Sequence, residues 1–183
     1  MALPNRIFQG HTRNMLKYSA NASVRKAKVS DAGRLNEVFR DTWLFAYRGM
    51  IPELHLESIV RRRSTMWWRS AIRTGDTVLV LDVAGKVAGY ATLGRARRKG
   101  RHAGEIYELY VDPLYQGLGY GEHLFEACRV HMDIAKWRGL IVWALIDNTS
   151  ATAFYWRRGG RPLMAMMERI GGKRLEKVAF VWE

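Results

Sequence analysis

The stretch Glu105-Ile106-Tyr107-Glu108-Leu109-Tyr110-Val111-Asp112-Pro113-Leu114-Tyr115-Gln116-Gly117-Leu118-Gly119-Tyr120-Gly121 joins two kinds of chemistry. Glu105 and Glu108 are carboxylates that can accept a proton. Gly117, Gly119 and Gly121 lead into a helical pattern, and a helix N-terminus carries unpaired N–H groups and a positive partial charge. Phosphate binds such an end without needing a lysine. An anion cradle beside a candidate base is the start of a group-transfer site. Spacing excludes two common cradles. The residue that should close a G-x-G-x-x-G fingerprint is Glu122, and no Gly-Lys-Ser/Thr ending follows. For this loop alone, a phosphate cradle and a Gly-rich turn that merely packs strand on helix are equal readings.

A second half-site lies downstream. Val142-Trp143-Ala144-Leu145-Ile146-Asp147-Asn148 ends a strand beside Ala151 and Phe154-Tyr155. Two neighbouring strand ends that splay apart make a slot for an extended ligand. Tyr155 follows Asn148 by seven residues, two helical turns, so its phenol is placed to point into that slot.

The elements that must hold these residues follow from periodicity. Strands are expected at 24–29, 77–83, 87–94, 105–111, 140–146, 162–170 and 175–182. Helices are expected from an N-cap at Ser30-Asp31 to about Phe45, over about 53–72, over 117–137 and over 148–158. Gly159-Gly160 ends the last helix, and Gly171-Gly172 turns a hairpin. The order β-α-α-β-β-β-α-β-α-β-β predicts an α/β (α+β) chain. Its central twisted mixed sheet has about seven strands and about four flanking helices. Residues 1–22 read as an arm or tail, and 23–183 as the domain.

These motifs together resemble the GNAT superfamily of acetyl-CoA-dependent N-acetyltransferases. Gln116-Gly117-Leu118-Gly119-Tyr120-Gly121 fits its Q/R-x-x-G-x-G/A signature. Leu109-Tyr110-Val111-Asp112-Pro113, Asn148, Ala151 and Phe154-Tyr155 match the flanking motifs. The likeness covers about residues 23–183. It implies that the main chain at Leu109, Tyr110 and Val111 pairs with the pantetheine arm of acetyl-CoA. It implies that residues 116–121 (Gln116, Gly117, Leu118, Gly119, Tyr120, Gly121) cradle the pyrophosphate and that Asn148 holds the pantetheine side. It gives Tyr155 the protonation of the departing thiolate.

The implied reaction is direct acetyl transfer to a primary amine of a small molecule or peptide, in a ternary complex. A lysine-like ammonium has pKa about 10.4, so a base must free the amine. Glu105 and Glu108 are the candidates, with a slight preference for Glu108. Strand alternation puts them on opposite faces unless a bulge intervenes. A backbone N–H near Tyr110 or Val111 would stabilise the oxyanion, at about 3–4 kcal/mol on the usual scale. Two positions depart from the family pattern. Trp143 stands where ribosomal-protein N-terminal acetyltransferases carry a glutamate base, and Gly160 stands where a Phe usually follows the last motif's glycine.

The remaining residues bound this reading. The formal charge is +13, which favours an acidic partner such as a nucleotide cofactor. It also leaves a basic nucleic-acid-binding module as an alternative, though no nucleic-acid motif accompanies the charge and nucleic acid is not expected as a partner. A second alternative is an acyl-CoA-binding sensor without catalysis. Arg61-Arg62-Arg63 and the cluster Arg95, Arg97, Arg98, Lys99, Arg101 and His102 read first as solvated faces. Arg157 and Arg158 lie nearer the expected cofactor slot. Of seven tryptophans, Trp67 is assigned to the core, while Trp43 and Tyr47 are candidate walls of the acceptor pocket. Cys128 is the single cysteine and falls on an apolar helix stripe, so it reads as a buried thiol and not a nucleophile. The five histidines show no metal spacing, and no metal is expected. No apolar run approaches the roughly 20 residues of a membrane span, so no membrane partner is expected. The single cysteine fits a reducing, cytoplasmic setting, and a monomer or homodimer is expected.

Overall fold

Strand β2 (Thr77–Val83) buries Val78 and Val80 on one face and Leu79 and Leu81 on the other, so the sheet must be covered on both sides. The computed structural model, which describes residues 22–75 and 77–183, meets that demand. One face holds Val78, Val80 and Tyr90 against α1 (Ala32–Tyr47) and α3 (Thr65–Thr74). The other packs Leu79, Leu81, Leu93 and Ile106 against α4 (Tyr120–Ile134) and α5 (Thr149–Arg157). The remaining strands are β1 (Ala22–Lys26), β3 (Lys86–Arg95), β4 (Gly104–Val111), β5 (Leu140–Leu145), β6 (Arg161–Ile170) and β7 (Lys173–Trp182). They form one seven-stranded sheet in the order β1-β2-β3-β4-β5-β7-β6. Only β4 and β5 run parallel. The mixed α/β architecture is the expected one.

Several local expectations are corrected. There are five α-helices where about four were expected, because the region 53–72 is two helices. The break falls after α2 (Glu53–Arg62), where the Ser64 side chain accepts from the Trp67 N–H and starts α3. Asp31 precedes α1 but does not cap it. Its carboxylate accepts instead from the Lys28 N–H at 2.6 Å and from Arg25. Residues 117–119 stay outside α4, because Gly117 and Gly119 take left-handed φ values of 77° and 83°. Trp68, not Trp67, is the core indole: it is 0% exposed, whereas Trp67 is 39% exposed. Cys128 is buried on α4 as expected. Except for Ala22, which belongs to β1, the arm expected over 1–22 lies outside the described residues. Among the described residues, no helix is long and apolar enough to cross a membrane, and no cluster of His, Cys, Asp or Glu could hold a metal ion.

Strand β4 carries the feature that organises the site. Its register against β3 shifts between Thr92 and Leu93, which pair with Glu108 and Ile106, leaving Tyr107 as an extra residue. Its ladder to β5 is short: Gly104, Glu105 and Ile106 pair with Leu140, Ile141 and Val142, and the pairing ends there. Both strands continue beyond that point.

Aromatic rings fill the space around β4. The Tyr90 ring stands 5.0 Å from Trp68 and 5.7 Å from Tyr110, and Tyr155 stands 6.3 Å from Phe125 and 5.9 Å from Phe180. Burial pushes the phenols of Tyr90, Tyr110 and Tyr155 well above the ordinary tyrosine value. Above about pH 10 the unfolded chain therefore sheds phenol protons that the native chain keeps, and stability falls as pH rises. Melting followed by circular dichroism should show this alkaline decline, and Tyr155→Phe should reduce its slope. Parallel slopes for the two proteins would show that the Tyr155 phenol titrates alike in both states. A second test concerns the approach of β3 to β4. A Cβ on Gly89 would lie 2.7 Å from the Tyr110 carbonyl oxygen and 3.2 Å from the Val111 Cα. Gly89→Ala should cost about 1–3 kcal/mol, or about 2–4 °C of melting temperature per kcal/mol.

Candidate active site

Beyond Ile106, β4 has no strand on its β5 side, so the main chain of Leu109, Tyr110 and Val111 borders a cleft. At the far end the Asp112 side chain accepts from the Leu114 N–H at 2.9 Å and turns the chain through Pro113 into the Gly loop. The Asp112 carboxylate also receives Arg34 of α1, which ties that helix to the end of β4. Gln116 folds back, its Nε2 donating to the Val111 carbonyl at 2.8 Å. The expected cradle thus contains one residue that works on the loop itself. No hydrogen bond among the described residues uses the N–H groups of Gly117, Leu118, Gly119 or Gly121. A Cβ on Gly121 would meet the Phe154 ring at 3.4 Å, so this glycine allows α4 to sit against α5. Such a run of unspent N–H groups at a helix start suits a diphosphate.

The other bank is α5. Asn148 caps it, its Oδ1 accepting from the Ala151 N–H at 3.1 Å. The carbonyl end of Asn148 is therefore engaged, and its amide N–H groups are left for other partners. Tyr155 is only 6% exposed and is held among Phe125, Phe154, Phe180 and Trp182. Among the described residues no hydrogen bond engages its hydroxyl. Burial raises its pKa, with Tyr47 and Cys128 as smaller contributors in the same direction, so the proton stays on.

The bulge at Tyr107 resolves the relation of the two glutamates. It puts Glu105 and Glu108 on one face of β4, the face of α1 to α3. Their surroundings differ. Glu105 is 2% exposed and accepts from the Arg97 backbone N–H at 2.9 Å, from Arg97 Nε at 3.0 Å and from Arg97 Nη2 at 2.5 Å. Glu108 lies past the last β5 pair, receives Arg63 on Oε1, and has Thr92 Oγ1 at 3.4 Å from Oε2. Next along the strand, the Tyr110 and Tyr47 hydroxyls are 2.9 Å apart, and the Trp43 ring lies 4.8 Å from Tyr47 and 6.3 Å from Tyr110. Burial raises the Tyr47 phenol and Glu108 adds to the rise, against the opposing effects of Tyr110 and Asn148. Trp43, Tyr47, Tyr110 and Glu108 therefore meet beyond the last β5 pair, and Tyr47 also reaches Asn148. Two surface hollows of 420 and 510 Å³ lie elsewhere, one by Arg34 and Asp112 and one by Arg48 and Leu56.

Sequence reasoning missed Arg63. It was grouped with Arg61 and Arg62 as a solvated face, which holds for those two, but Arg63 lies 4.6, 4.2 and 5.2 Å from the Phe39, Trp67 and Trp68 rings. Its place directly before the Ser64 cap, at a helix break, was the available signal. Arg158, expected near phosphate, pairs with Glu122 at 2.7 Å, while Arg157 remains exposed. At one of the two departures from the family pattern the structure supplies a replacement. A Cβ on Gly160 would meet the Trp182 ring at 2.6 Å, so that indole fills the space a Phe would take. Trp143 lies on the same sheet face as Glu105 and Glu108, with Lys177 5.1 Å and Arg98 6.0 Å from its ring.

Known proteins share this fold. The family model described as Acetyltransferase (GNAT) family matches residues 35–160. An uncharacterized N-acetyltransferase of Methanocaldococcus jannaschii is 27% identical over 152 residues, covering 80% of this chain. The chain spans 62% of that curated relative's length. The PaiA N-acetyltransferase from Thermoplasma acidophilum, solved in complex with coenzyme A, superposes with a TM-score of 0.69 at 21% identity, over 86% of this chain and 97% of that one. The ribosomal-protein-alanine N-acetyltransferase from Brucella melitensis gives a TM-score of 0.66 at 23% identity, over 87% and 98%. These structural likenesses are likenesses of fold. The family match runs from α1 through the bulged strand, the Gly loop and α5 to Gly160, and on that match the chain belongs to the acetyltransferase (GNAT) family.

Proposed function

We propose that this protein is an N-acetyltransferase that moves an acetyl group from acetyl-CoA to a primary amine while both substrates are bound. The observation that carries the reading is the parting of β4 from β5 after Ile106, with the Gly loop at one end of the cleft and Tyr155 on its bank. Coenzyme A in the Thermoplasma structure, which has the same fold, supports acetyl-CoA as the donor. Bound acetyl-CoA supplies an acyl thioester. The chain's own part is to hold, orient and move protons. The N–H groups of 117–121 suit the diphosphate, and the main chain of Leu109 to Val111 suits the pantetheine amides and the acyl oxygen.

Glu108 is the better base. Glu105 already accepts three hydrogen bonds from Arg97 and stands where β4 and β5 are still paired. Glu108 stands beyond that pairing, beside Tyr47 and Tyr110. The Tyr155 phenol is protonated at neutral pH, as an acid for the leaving thiolate must be; burial makes it a weaker acid, so its role rests on position beside the thiolate and not on its pKa. Burial pushes the Cys128 thiol up to about 12, so it is neutral, and direct transfer is favoured over an acetyl-cysteine. A lone buried cysteine also suits a reducing cytoplasm.

Calorimetry should detect acetyl-CoA binding, and no heat at high micromolar ligand would remove the donor assignment. With an amine panel read by CoA release, Glu108→Gln should lower kcat by about 10²–10⁴ while acetyl-CoA affinity stays near wild type. If Glu105→Gln has that effect and Glu108→Gln does not, the base is Glu105. Tyr155→Phe should also lower kcat at unchanged acetyl-CoA affinity, and equal turnover would take Tyr155 out of the mechanism.

A further inference from the structure

The acceptor-side face of β4 bears two carboxylates, and each is met by an arginine from another element, Glu105 by Arg97 and Glu108 by Arg63. The Arg63 pair is the more telling. Phe39, Trp67 and Trp68 surround the guanidinium at 4.2–5.2 Å, so its charge is presented through its N–H edge. Among the described residues that edge makes one hydrogen bond, from Nη1 to Glu108. Nε and Nη2 are unspent, and the side chain is 22% exposed. Half of a planar fork built to grip carboxylates is thus left over beside the proposed base.

This pairing discriminates between acceptors. A polyamine or lysine-rich acceptor would have to compete with Arg63 for Glu108 on a chain of net charge +13, with Arg61 and Arg62 exposed nearby. An acceptor bearing both an ammonium and a carboxylate meets no such conflict. Its ammonium faces Glu108, its carboxylate faces the free half of the Arg63 fork, and both buried charges stay compensated. We propose that the Arg63–Glu108 pair reads a zwitterion: the acceptor is a primary amine with a carboxylate close by, and Arg63 is the residue that selects it. This inference rests on Glu108 serving an N-acetyltransferase. The carboxylate can come from a free amino acid or from an acidic residue at a peptide N-terminus.

The test compares matched acceptors in two arms: amino acids against their carboxamides, and peptides beginning with Glu against the same peptides beginning with Gln. Each pair is assayed for acetyl-CoA-dependent CoA release and titrated calorimetrically into CoA-saturated protein, so the preference is read with or without turnover. In at least one arm the carboxylate form should be favoured by about tenfold or more, the scale of a charged hydrogen bond. Arg63→Gln should bring that ratio to within about twofold of unity. Arg63→Lys, which keeps the charge and loses the fork, should fall between. Melting curves and acetyl-CoA affinity identify any variant that fails to fold, and the wild-type ratio stands independently of both variants. A wild-type preference for the neutral forms in both arms overturns the proposal, as does a ratio unchanged in a folded Arg63→Gln protein. Loss of the transferase reading looks different: it is absence of acetyl-CoA binding itself, whereas acetyl-CoA binding with no carboxylate preference sinks the zwitterion site alone.

Discussion

Everything at the site depends on β4 and β5 pairing for three residues and then separating. A parallel pair that kept its register would close the space between the strands and use up the main-chain groups of Leu109 to Val111. The extra residue Tyr107 falls directly after the last paired position, Ile106. A bulge there bends β4 and increases its local twist, which turns the strand away from its neighbour. The same insertion brings Glu108 round to the face of Glu105. One added residue thus accounts for both the end of the β4–β5 pairing and the face that Glu108, the proposed base, shares with Glu105.

Arginine–carboxylate pairs hold the surrounding elements in register with that strand. Arg34 fastens α1 to Asp112 at the end of β4, Arg63 fastens the α2–α3 joint to Glu108, and Arg158 fastens the end of α5 to Glu122 in the first turn of α4. Arg25 joins Asp31 ahead of α1 to Asp82 on β2. These pairs are partly buried, and the cost of desolvating both charges offsets much of their attraction, so they do not explain the stability of the fold. Their effect is on geometry: a carboxylate with little exposure, such as Asp112 or Glu108, becomes costly if its partner moves away.

The geometry of the proposed donor side was legible in the sequence because it is made of main chain. Gly117, Gly119 and Gly121 and the cap Asn148 are residue types chosen for backbone geometry, and such choices appear as local spacing. The proposed acceptor side is made of side chains from separate elements. Tyr47 comes from the end of α1, Arg63 from a helix break, and Glu108 from a bulged strand, and no local pattern links them. Periodicity treated 53–72 as one helix, because the apolar spacing runs through the joint and only the Ser64 cap marks it. It likewise assigned Trp67 to the core when the neighbouring Trp68 fills it, a shift of one position that a helical stripe does not resolve.

On the proposed assignments, this division of materials would let one fold keep its donor while changing its acceptor. Main-chain N–H groups in the Gly loop tolerate almost any change of side chain that preserves the left-handed turns at Gly117 and Gly119. The acceptor wall has no such protection. Trp143 in place of a carboxylate removes one charge from the face that Glu105 and Glu108 share, and Arg97 and Arg63 neutralise the two that remain. A face balanced in this way cannot attract a bare cation by charge alone. On the proposed reading, selection comes from groups that hold their positions while a second charge is exchanged, and a guanidinium fixed among three aromatic rings with half its donors unused is such a group.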